Sequence, residues 1–454
     1  MAREIKKNWA YHELEGSVLG DERFRANIVE ICTRLEQQPE SSFSAACGSS
    51  LRKSSYRLFE HKDIDLLRGH FMSSLGWASD YQEILISEDT TDVLYKGLKA
   101  CKGLGNLGGG GKGNAGLCVH SMLALSPVGL PLGLLGQHVW APVNESSKKT
   151  GSYYRKLPIE QKENYCWLQL LELLAERLKG FHGRILVISD READFYEYFV
   201  HPRSAQVDLL VRARFLNRWV HWQGKDIKLQ SLLDKLVVAG HKTIDYTDAK
   251  THKVSQVKLS VSYTRLIMPV PVGKKGPAVT LSVVRAYQQV PVQGKEPIEW
   301  VLLSTKPVDT LQQAFDLLDN YTKRWLVERF HYVLKQGMEI EKMQFREAGR
   351  LVQGIALYSI AAYRIMWLCY SARQQADQPC GQCFNEQEVD VLEKLSAKKA
   401  ISVTQALLII ASLVGFTPTK KYPLPGLKMC WQGWKAFQRI VQGVNLCKRA
   451  YETG

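Results

Sequence analysis

The chain has 454 residues, which is enough for two or three domains that each bury a hydrophobic core. Its 60 Lys and Arg residues outnumber its 45 Asp and Glu residues, and the formal net charge of +15 favours a polyanionic partner over a small acidic substrate. The apolar run 406–416 is too short to cross a bilayer, and the segment 352–370 contains Gln353 and Arg364. Because no apolar signal core follows the N-terminal lysines either, we expect a cytoplasmic protein without a membrane partner.

The ten cysteines are predicted to be reduced thiols, since a chain of this size needs no disulfide framework. Only Cys380 and Cys383 form a C-x-x-C pair. A structural zinc site needs four ligands, and no second pair lies at a suitable spacing, so we interpret this pair as a coincidence in a loop.

Residues 1–70 are predicted to form a helical DNA-binding domain, because basic and aromatic residues are interleaved there on helical segments. The candidate DNA contacts are Arg52, Lys53 and Arg57. The alternative is an ordinary solvated helical surface, which carries the same kind of charge.

Residues 71–372 are predicted to form an α/β domain, because strand and helix patterns alternate from about residue 80. Period-two alternation between about 215 and 305 indicates a β-rich insertion within it. A long helix is predicted from near Asp309 past Lys335. The predicted strands are 84–86, 119–125, 130–140, 184–189 and 207–211. An amphipathic helix is predicted at 161–178, between the third and fourth strands.

Residues 373–454 are predicted to form a helical C-terminal domain. Three aromatic residues near its end, Trp431, Trp434 and Phe437, indicate an apolar face that serves either packing or dimerisation.

Two of the predicted strands end at aspartates, Asp89 and Asp190. Carboxylates at strand ends of open sheets commonly lie where ligands bind, and paired oxygen donors suit magnesium. The alternative for either aspartate alone is a turn or a helix cap.

On the long predicted helix, Tyr321, Arg324, Glu328 and Lys335 fall within an arc of roughly 60° if each residue turns about 100°. A carboxylate beside two cations and a phenol suits a metal site next to phosphates better than core packing. The alternative is an exposed face stabilised by an Arg324–Glu328 pair.

These motifs resemble those of the DDE transposases of the insertion-sequence-4 family, and within it the kanamycin-resistance transposon-five type. The helix carries that family's Y-R-E-K signature. Further segments resemble its two aspartate motifs, its DNA-binding domain and its dimerisation domain: 87–91, 189–194, 19–21, 55–57, 413–416 and 431–434.

The resemblance implies an RNase H-like catalytic domain in which Asp89, Asp190 and Glu328 are the catalytic residues and bind two Mg²⁺ ions, with Mn²⁺ able to substitute. It implies a cut-and-paste transposase that cleaves DNA through a hairpin intermediate and joins the 3′ ends to target DNA. The implied partners are double-stranded DNA, at both the transposon ends and the target, and a second copy of the chain in a synaptic complex. The implied location is the nucleoid.

The resemblance also assigns DNA contacts. Trp300 matches the tryptophan on which that family stacks a base extruded from the duplex. Tyr321, Arg324 and Lys335 would hold neighbouring phosphates, and Arg212 would add a basic contact. From the residues alone, Trp300 would be read as a core residue.

The chain departs from the family at Arg329, where the best-known relative has glutamate, and in the Gly-rich segment 103–116. That segment lacks the residues of a phosphate-binding loop, so we interpret it as the tip of a β-hairpin. Two alternative functions stay open, namely a non-catalytic DNA-binding regulator of transposition and a stand-alone nuclease.

Overall fold

The computed structural model describes residues 8–61, 63–107, 114–142, 157–247, 254–289 and 297–452. The chain divides into two compact units. Unit 1 comprises Met1–Asp80, Thr90–Thr150 and Val327–Gly454, and unit 2 comprises Tyr81–Asp89 and Gly151–Leu326.

From residue 8 onward, the described part of unit 1 opens with four α-helices, which confirms that the N-terminal segment is helical. They are α1 (Trp9–Leu14), α2 (Arg25–Gln37), α3 (Phe43–Leu58) and α4 (Leu67–Ala78). Helix α3 is capped at its N-terminus by Ser42, whose side chain accepts a hydrogen bond from the Ala45 amide. It is interrupted at Gly48, where φ is 68°, a conformation that glycine adopts without steric cost.

Helices α1 and α4 approach each other closely at Gly69. A Cβ atom at this position would lie 2.8 Å from the Glu13 carbonyl oxygen and 2.9 Å from the Leu14 carbonyl carbon. We therefore expect Gly69→Ala to destabilise the protein by about 1–3 kcal/mol, because backbone atoms have to move apart. Gly76 lies in the same helix with no atom within 4 Å of an added Cβ, so Gly76→Ala is expected to stabilise by about 0.5–1 kcal/mol. The free energy of unfolding of the two variants is measured by urea denaturation. Changes of the same sign and size in both variants would contradict the packing argument.

Three antiparallel strands follow in unit 1: β2 (Gly105–Asn106), β3 (Ala115–Leu125) and β4 (Pro131–Trp140). Gly105 pairs with Gly116, so the two ends of the Gly-rich segment form the hairpin expected there, while the tip, 108–113, lies outside the described residues. Strand β3 is also a sheet neighbour of β1 (Glu83–Leu94), whose residues from Thr90 onward belong to this unit.

The C-terminal part of unit 1 is helical, as predicted. Helix α10 (Ala348–Gln374) is long and apolar enough, by length and composition, to cross a membrane, but 78% of its most apolar window is buried inside the protein. Trp431, Trp434 and Phe437 are at most 3% exposed, so these aromatic residues serve packing within this unit. The helices from α9 onward are α9 (Trp325–Tyr332), whose first two residues belong to unit 2, α10, α11 (Glu386–Ser396), α12 (Val403–Ser412) and α13 (Leu427–Glu452). The preceding helix, α8 (Leu311–Thr322), lies in unit 2.

Unit 2 contains a large mixed sheet. Its parallel part pairs β1 with β5 (Arg184–Ser189) and β5 with β6 (Val207–Arg212). The predicted strand at 184–189 is confirmed with the same bounds. Helices α5 (Tyr165–Arg177) and α6 (Tyr196–Val200) belong to this part of the chain.

The antiparallel part of this sheet confirms the β-rich segment. Strand β12 (Glu299–Ser304) pairs with β6 and β11 (Val279–Tyr287), β11 pairs with β10 (Val254–Met268), and β10 pairs with both β7 (Trp219–Trp222) and β9 (Gly240–Thr247). Its elements are β7 (Trp219–Trp222), β8 (Lys225–Lys228), α7 (Leu229–Leu233), β9 (Gly240–Thr247), β10 (Val254–Met268), β11 (Val279–Tyr287) and β12 (Glu299–Ser304).

The prediction of a single long helix from Asp309 past Lys335 is wrong. Helix α8 ends at Thr322, and the Arg324 and Leu326 amides bond to carbonyls only three residues back before α9 begins. From Val333 to Gly337 the backbone is π-helical, and the Met338 amide bonds to the carbonyl five residues back. Because such turns do not advance by 100° per residue, the roughly 60° stripe calculated for a regular helix does not hold.

Candidate active site

Asp89 and Asp190 occupy equivalent positions on neighbouring parallel strands of unit 2. The last residue pair between β1 and β5 is Ser87 with Ile188. Asp89 lies two residues after Ser87, and Asp190 lies two residues after Ile188. Adjacent strands lie about 4.8 Å apart, so this register places both carboxylates at one end of the parallel sheet. Strand β1 does not stop here as predicted but continues to Leu94, seven residues beyond its last pair with β5 at Ser87.

The Asp190 side chain is oriented by the turn that follows β5. Its Oδ1 accepts a hydrogen bond from the Glu192 amide at 2.7 Å and caps a short 3-10 turn, Arg191–Ala193. Burial raises the pKa of Asp190 above its usual value, and the nearby negative charge of Asp89 raises it further. The charge of Arg324 acts in the opposite direction. Two acidic side chains and one cation therefore share this end of the sheet.

Three of the other predicted residues lie together in unit 2. Tyr321, at the end of α8, is buried, and its pKa is raised by burial and lowered by the charges of Arg324 and Arg212, with a net upward shift. Burial lowers the pKa of Arg212, which hydrogen-bonds Tyr321 and also donates to the Glu299 carbonyl at 3.1 Å. Arg324 is held in place at its backbone, where its carbonyl accepts a hydrogen bond from Ser87 Oγ at 2.6 Å.

Trp300 on β12 packs against this cluster. Its ring meets the Tyr321 ring edge to face at 5.8 Å between centroids. The indole is half-buried, so part of its surface stays accessible to solvent. The structure thus brings Trp300, Arg212, Tyr321 and Arg324 together with the two aspartates in one unit.

Glu328 and Lys335 belong to unit 1. Glu328 is half-buried on α9. Lys335 lies in the π-helical turn, where its Nζ donates to the Asp92 carbonyl at 2.6 Å and lies 3.7 Å from Glu341. Among the residues that the structure describes, no group of three or more His, Cys, Asp and Glu side chains is arranged to hold a metal ion. The roles assigned to Glu328 and Lys335 stay predictions.

Two buried side chains that the sequence analysis did not single out support this site. Asp194 is 1% exposed and accepts hydrogen bonds from the amides of Arg214 and Phe215 at 2.6 and 3.1 Å, with Arg218 as its ion-pair partner. It therefore ties the turn after β5 to the loop after Arg212. Glu88 is fully buried and accepts a hydrogen bond from Ser189 at 2.6 Å. The only sequence signal for Glu88 was its position next to Asp89.

The candidate DNA contacts of the N-terminal segment lie on helix α3. Lys53 and Arg57 are exposed and one turn apart, so they share a face of the helix, whereas Arg52 is half-buried. Ser55 and Leu58 on the opposite side are buried. The helix thus presents a polar, basic face to solvent.

Comparison with known proteins gives matches to a family model and to solved structures. Residues 6–64 match the family model described as transposase DNA-binding. The cryo-EM structure of a piggyBac transposase synaptic complex with hairpin DNA is similar at 9% identity and a TM-score of 0.33, over 76% of this chain and 58% of that one. At this level of similarity no residue role transfers from the second protein. The family match supports a DNA transposase whose N-terminal segment is of the transposase DNA-binding type.

Proposed function

We propose that this chain is a cut-and-paste DNA transposase that binds the ends of its element, cleaves them through a hairpin intermediate and joins the 3′ ends to target DNA. The observation that carries the proposal is the equivalent placement of Asp89 and Asp190 on adjacent parallel strands, next to Arg212, Tyr321 and Arg324. In this proposal the fold is RNase H-like. Its support is the antiparallel β3–β4 pair of unit 1 and the parallel β1–β5–β6 set of unit 2.

The two aspartates fit a divalent cation. Both are hard oxygen donors, and the charge of one raises the pKa of the other, a repulsion that a cation between them would relieve. We propose that Glu328 completes the set of ligands for two ions. Magnesium, when bound, would activate the attacking oxygen and stabilise the leaving oxygen; manganese would substitute.

The remaining residues of the site would bind and position the DNA. Arg212 and Arg324, together with the Tyr321 hydroxyl, present hydrogen-bond donors suited to phosphate oxygens, and Lys335 would add a point charge. The half-buried Trp300 ring would stack on a base that leaves the duplex as the hairpin forms. Its edge contact with Tyr321 would keep the ring in one orientation.

We further propose that residues 1–70 bind the transposon ends, that residues 71–372 carry catalysis, and that residues 373–454 support a homodimer in the synaptic complex. The support for the first assignment is the match over residues 6–64 and the exposed basic face of α3. The other two assignments rest on the sequence resemblance.

Lys53 and Arg57 provide a test of end binding. The double variant Lys53→Ala with Arg57→Ala is expected to weaken binding and to reduce the slope of log affinity against log salt by about two, because each lost phosphate contact removes about 0.9. Fluorescence anisotropy over a salt series measures the slope. Lys420→Ala with Lys421→Ala removes the same charge at exposed positions and serves as the control. An unchanged slope in the first variant would contradict the assignment.

The catalytic proposal is tested by cleavage and strand transfer on a DNA fragment that carries the element's own ends, with Mg²⁺ or Mn²⁺. The intact protein is expected to produce hairpin and joined products, whereas Glu328→Gln is expected to bind the ends and cut nothing. Glu160→Gln, at an exposed position, is the control for loss of one carboxylate. If the intact protein binds the ends and does not cut with either metal, the chain is a DNA-binding regulator instead.

A further inference from the structure

Next to the two aspartates, on the other side of the strands, lies a fully buried cluster of three polar side chains. Glu88 immediately precedes Asp89 on β1, and Ser189 immediately precedes Asp190 on β5. Successive residues of a strand point to opposite faces of the sheet, so Glu88 faces away from Asp89. Tyr198, on the short helix α6, reaches the same point, and all three side chains are 0% exposed.

The three side chains are joined by hydrogen bonds. Ser189 Oγ donates to Glu88 Oε1 at 2.6 Å and lies 2.9 Å from the Tyr198 hydroxyl, which also donates to Glu88. Burying a carboxylate is costly unless such donors compensate it, and bonds to a charged acceptor are stronger than neutral ones. The cluster therefore links β1, β5 and α6 at the point where the two aspartates leave the parallel sheet.

The surroundings of Tyr198 limit its movement. Its ring packs edge to face on Trp167 at 6.1 Å and against Phe195 at 5.8 Å between centroids. Burial, followed by the charge of Glu88, raises the pKa of Tyr198, so the phenol keeps its proton and remains a donor. A rigid donor on α6 thus holds the carboxylate of Glu88, and through it the end of β1.

We propose that Glu88, Ser189 and Tyr198 are positioning residues that set the distance between the Asp89 and Asp190 carboxylates and so determine how well they bind a divalent cation. The inference rests on the proposed function, since that function assigns the cation to these aspartates. Groups that orient metal ligands from behind typically change metal affinity or activity by about 10- to 100-fold when they are lost.

The test compares Tyr198→Phe and Glu88→Gln with Tyr196→Phe in the full-length protein. Tyr196 lies two residues from Tyr198 on α6, and its hydroxyl donates to the Pro277 carbonyl at 2.8 Å, so the control loses a similar bond outside the cluster. Mn²⁺ binding without DNA is measured by electron paramagnetic resonance, and circular dichroism verifies folding. Tyr198→Phe is expected to bind Mn²⁺ roughly 10-fold more weakly than the intact protein, with Tyr196→Phe unchanged.

A second readout does not depend on metal. The Glu192 amide is bonded to Asp190 Oδ1, so hydrogen exchange in the segment 189–194 of the metal-free protein reports whether the Asp190 carboxylate keeps its position. Faster exchange in Tyr198→Phe than in Tyr196→Phe is expected.

The outcomes separate the two proposals. If the intact protein binds Mn²⁺ and both cluster variants bind it equally tightly, the positioning inference is overturned while the proposed function stands. If the intact protein binds no Mn²⁺, the metal-binding part of the proposed function fails. The positioning inference is then tested by hydrogen exchange in the segment 189–194 alone. Exchange equal in Tyr198→Phe and Tyr196→Phe would then overturn it.

Discussion

Asp190→Asn is expected to reduce cleavage and strand transfer by roughly 10³-fold or more while leaving binding to the transposon ends intact. Asp190 lies at the end of β5, and its carboxylate is oriented by the Glu192 amide. An asparagine there can keep this bond through its amide oxygen, so the fold is preserved while the charge is lost. The neutral amide is a poor ligand for a hard divalent cation, and the ion would no longer be held between two carboxylates.

Gel assays of single-turnover cleavage with Mg²⁺ measure this effect, and anisotropy measures DNA binding. The matched control is Asp226→Asn, an aspartate of the same unit whose side chain is 76% exposed. A cleavage rate within tenfold of that of the intact protein would show that Asp190 is not a catalytic residue. Asp89→Asn is expected to behave like Asp190→Asn, because the two positions are equivalent in the strand register.

Stability is expected to fall as the pH rises, and Glu36 is expected to cause the largest single part of this fall. Glu36 lies on α2 and is 2% exposed. Burial raises the pKa of its carboxyl to about 8, and the charge of Glu388 adds to this, whereas the charge of Arg364 and the nearby Trp434 indole oppose it. All four residues belong to unit 1.

The direction follows from proton linkage. The folded pKa is raised above the ordinary value of 4.5, so the folded state keeps the proton up to about pH 8, while the unfolded state loses it near pH 4.5. The stabilisation is complete below pH 4.5 and is lost as the pH rises to about 8. At about 1.4 kcal/mol per pKa unit, the difference between about 8 and 4.5 corresponds to at most about 5 kcal/mol.

Glu36→Gln is expected to remove this part of the pH dependence, because glutamine has the shape of the neutral acid and does not titrate. Urea unfolding at several pH values between 5 and 8.5 measures the change, with the range chosen to span the shift. Glu30→Gln is the control, since Glu30 lies on the same helix with its side chain 47% exposed and paired with Arg34. The same pH dependence in Glu36→Gln and in the intact protein would contradict a protonated Glu36.

Local patterns in the chain predicted much of the secondary structure. The strand at 184–189 was correct to the residue, because a short apolar run between a basic residue and an aspartate satisfies local rules alone. The N- and C-terminal segments are helical and the segment after 215 is rich in strands, again as their periodicity indicates. The two aspartates were identified in the same way, from their positions after apolar runs.

Two predictions were wrong: where strand β1 ends, and that one long helix runs past Lys335. In both cases the structure contains features that short sequence windows do not show. Strand β1 was predicted to end near Asp89, yet it continues to Leu94. Its sheet neighbours β3 and β5 come from later parts of the chain, which no short sequence window can show. The helix predicted past Lys335 is divided near Arg324. The Arg324 carbonyl there accepts a hydrogen bond from the hydroxyl of Ser87, which is far away in the chain. The π-helical turn at Val333–Gly337 has no simple periodic signal.

By itself, the sequence indicated candidate residues for chemistry and DNA binding: the carboxylates of Asp89 and Asp190, the cation Arg324 and the basic residues of α3, whereas Arg212 was added by the family resemblance alone. Residue type and period-two or helical spacing are local properties, and the chain displays them directly. Only the tertiary structure decided which groups meet. The β1–β5 register aligned the two aspartates, and α6 brought Tyr198 to Glu88 across 110 residues of sequence. Such contacts depend on how strands pair and pack, which is a property of the whole fold and not of any segment within it.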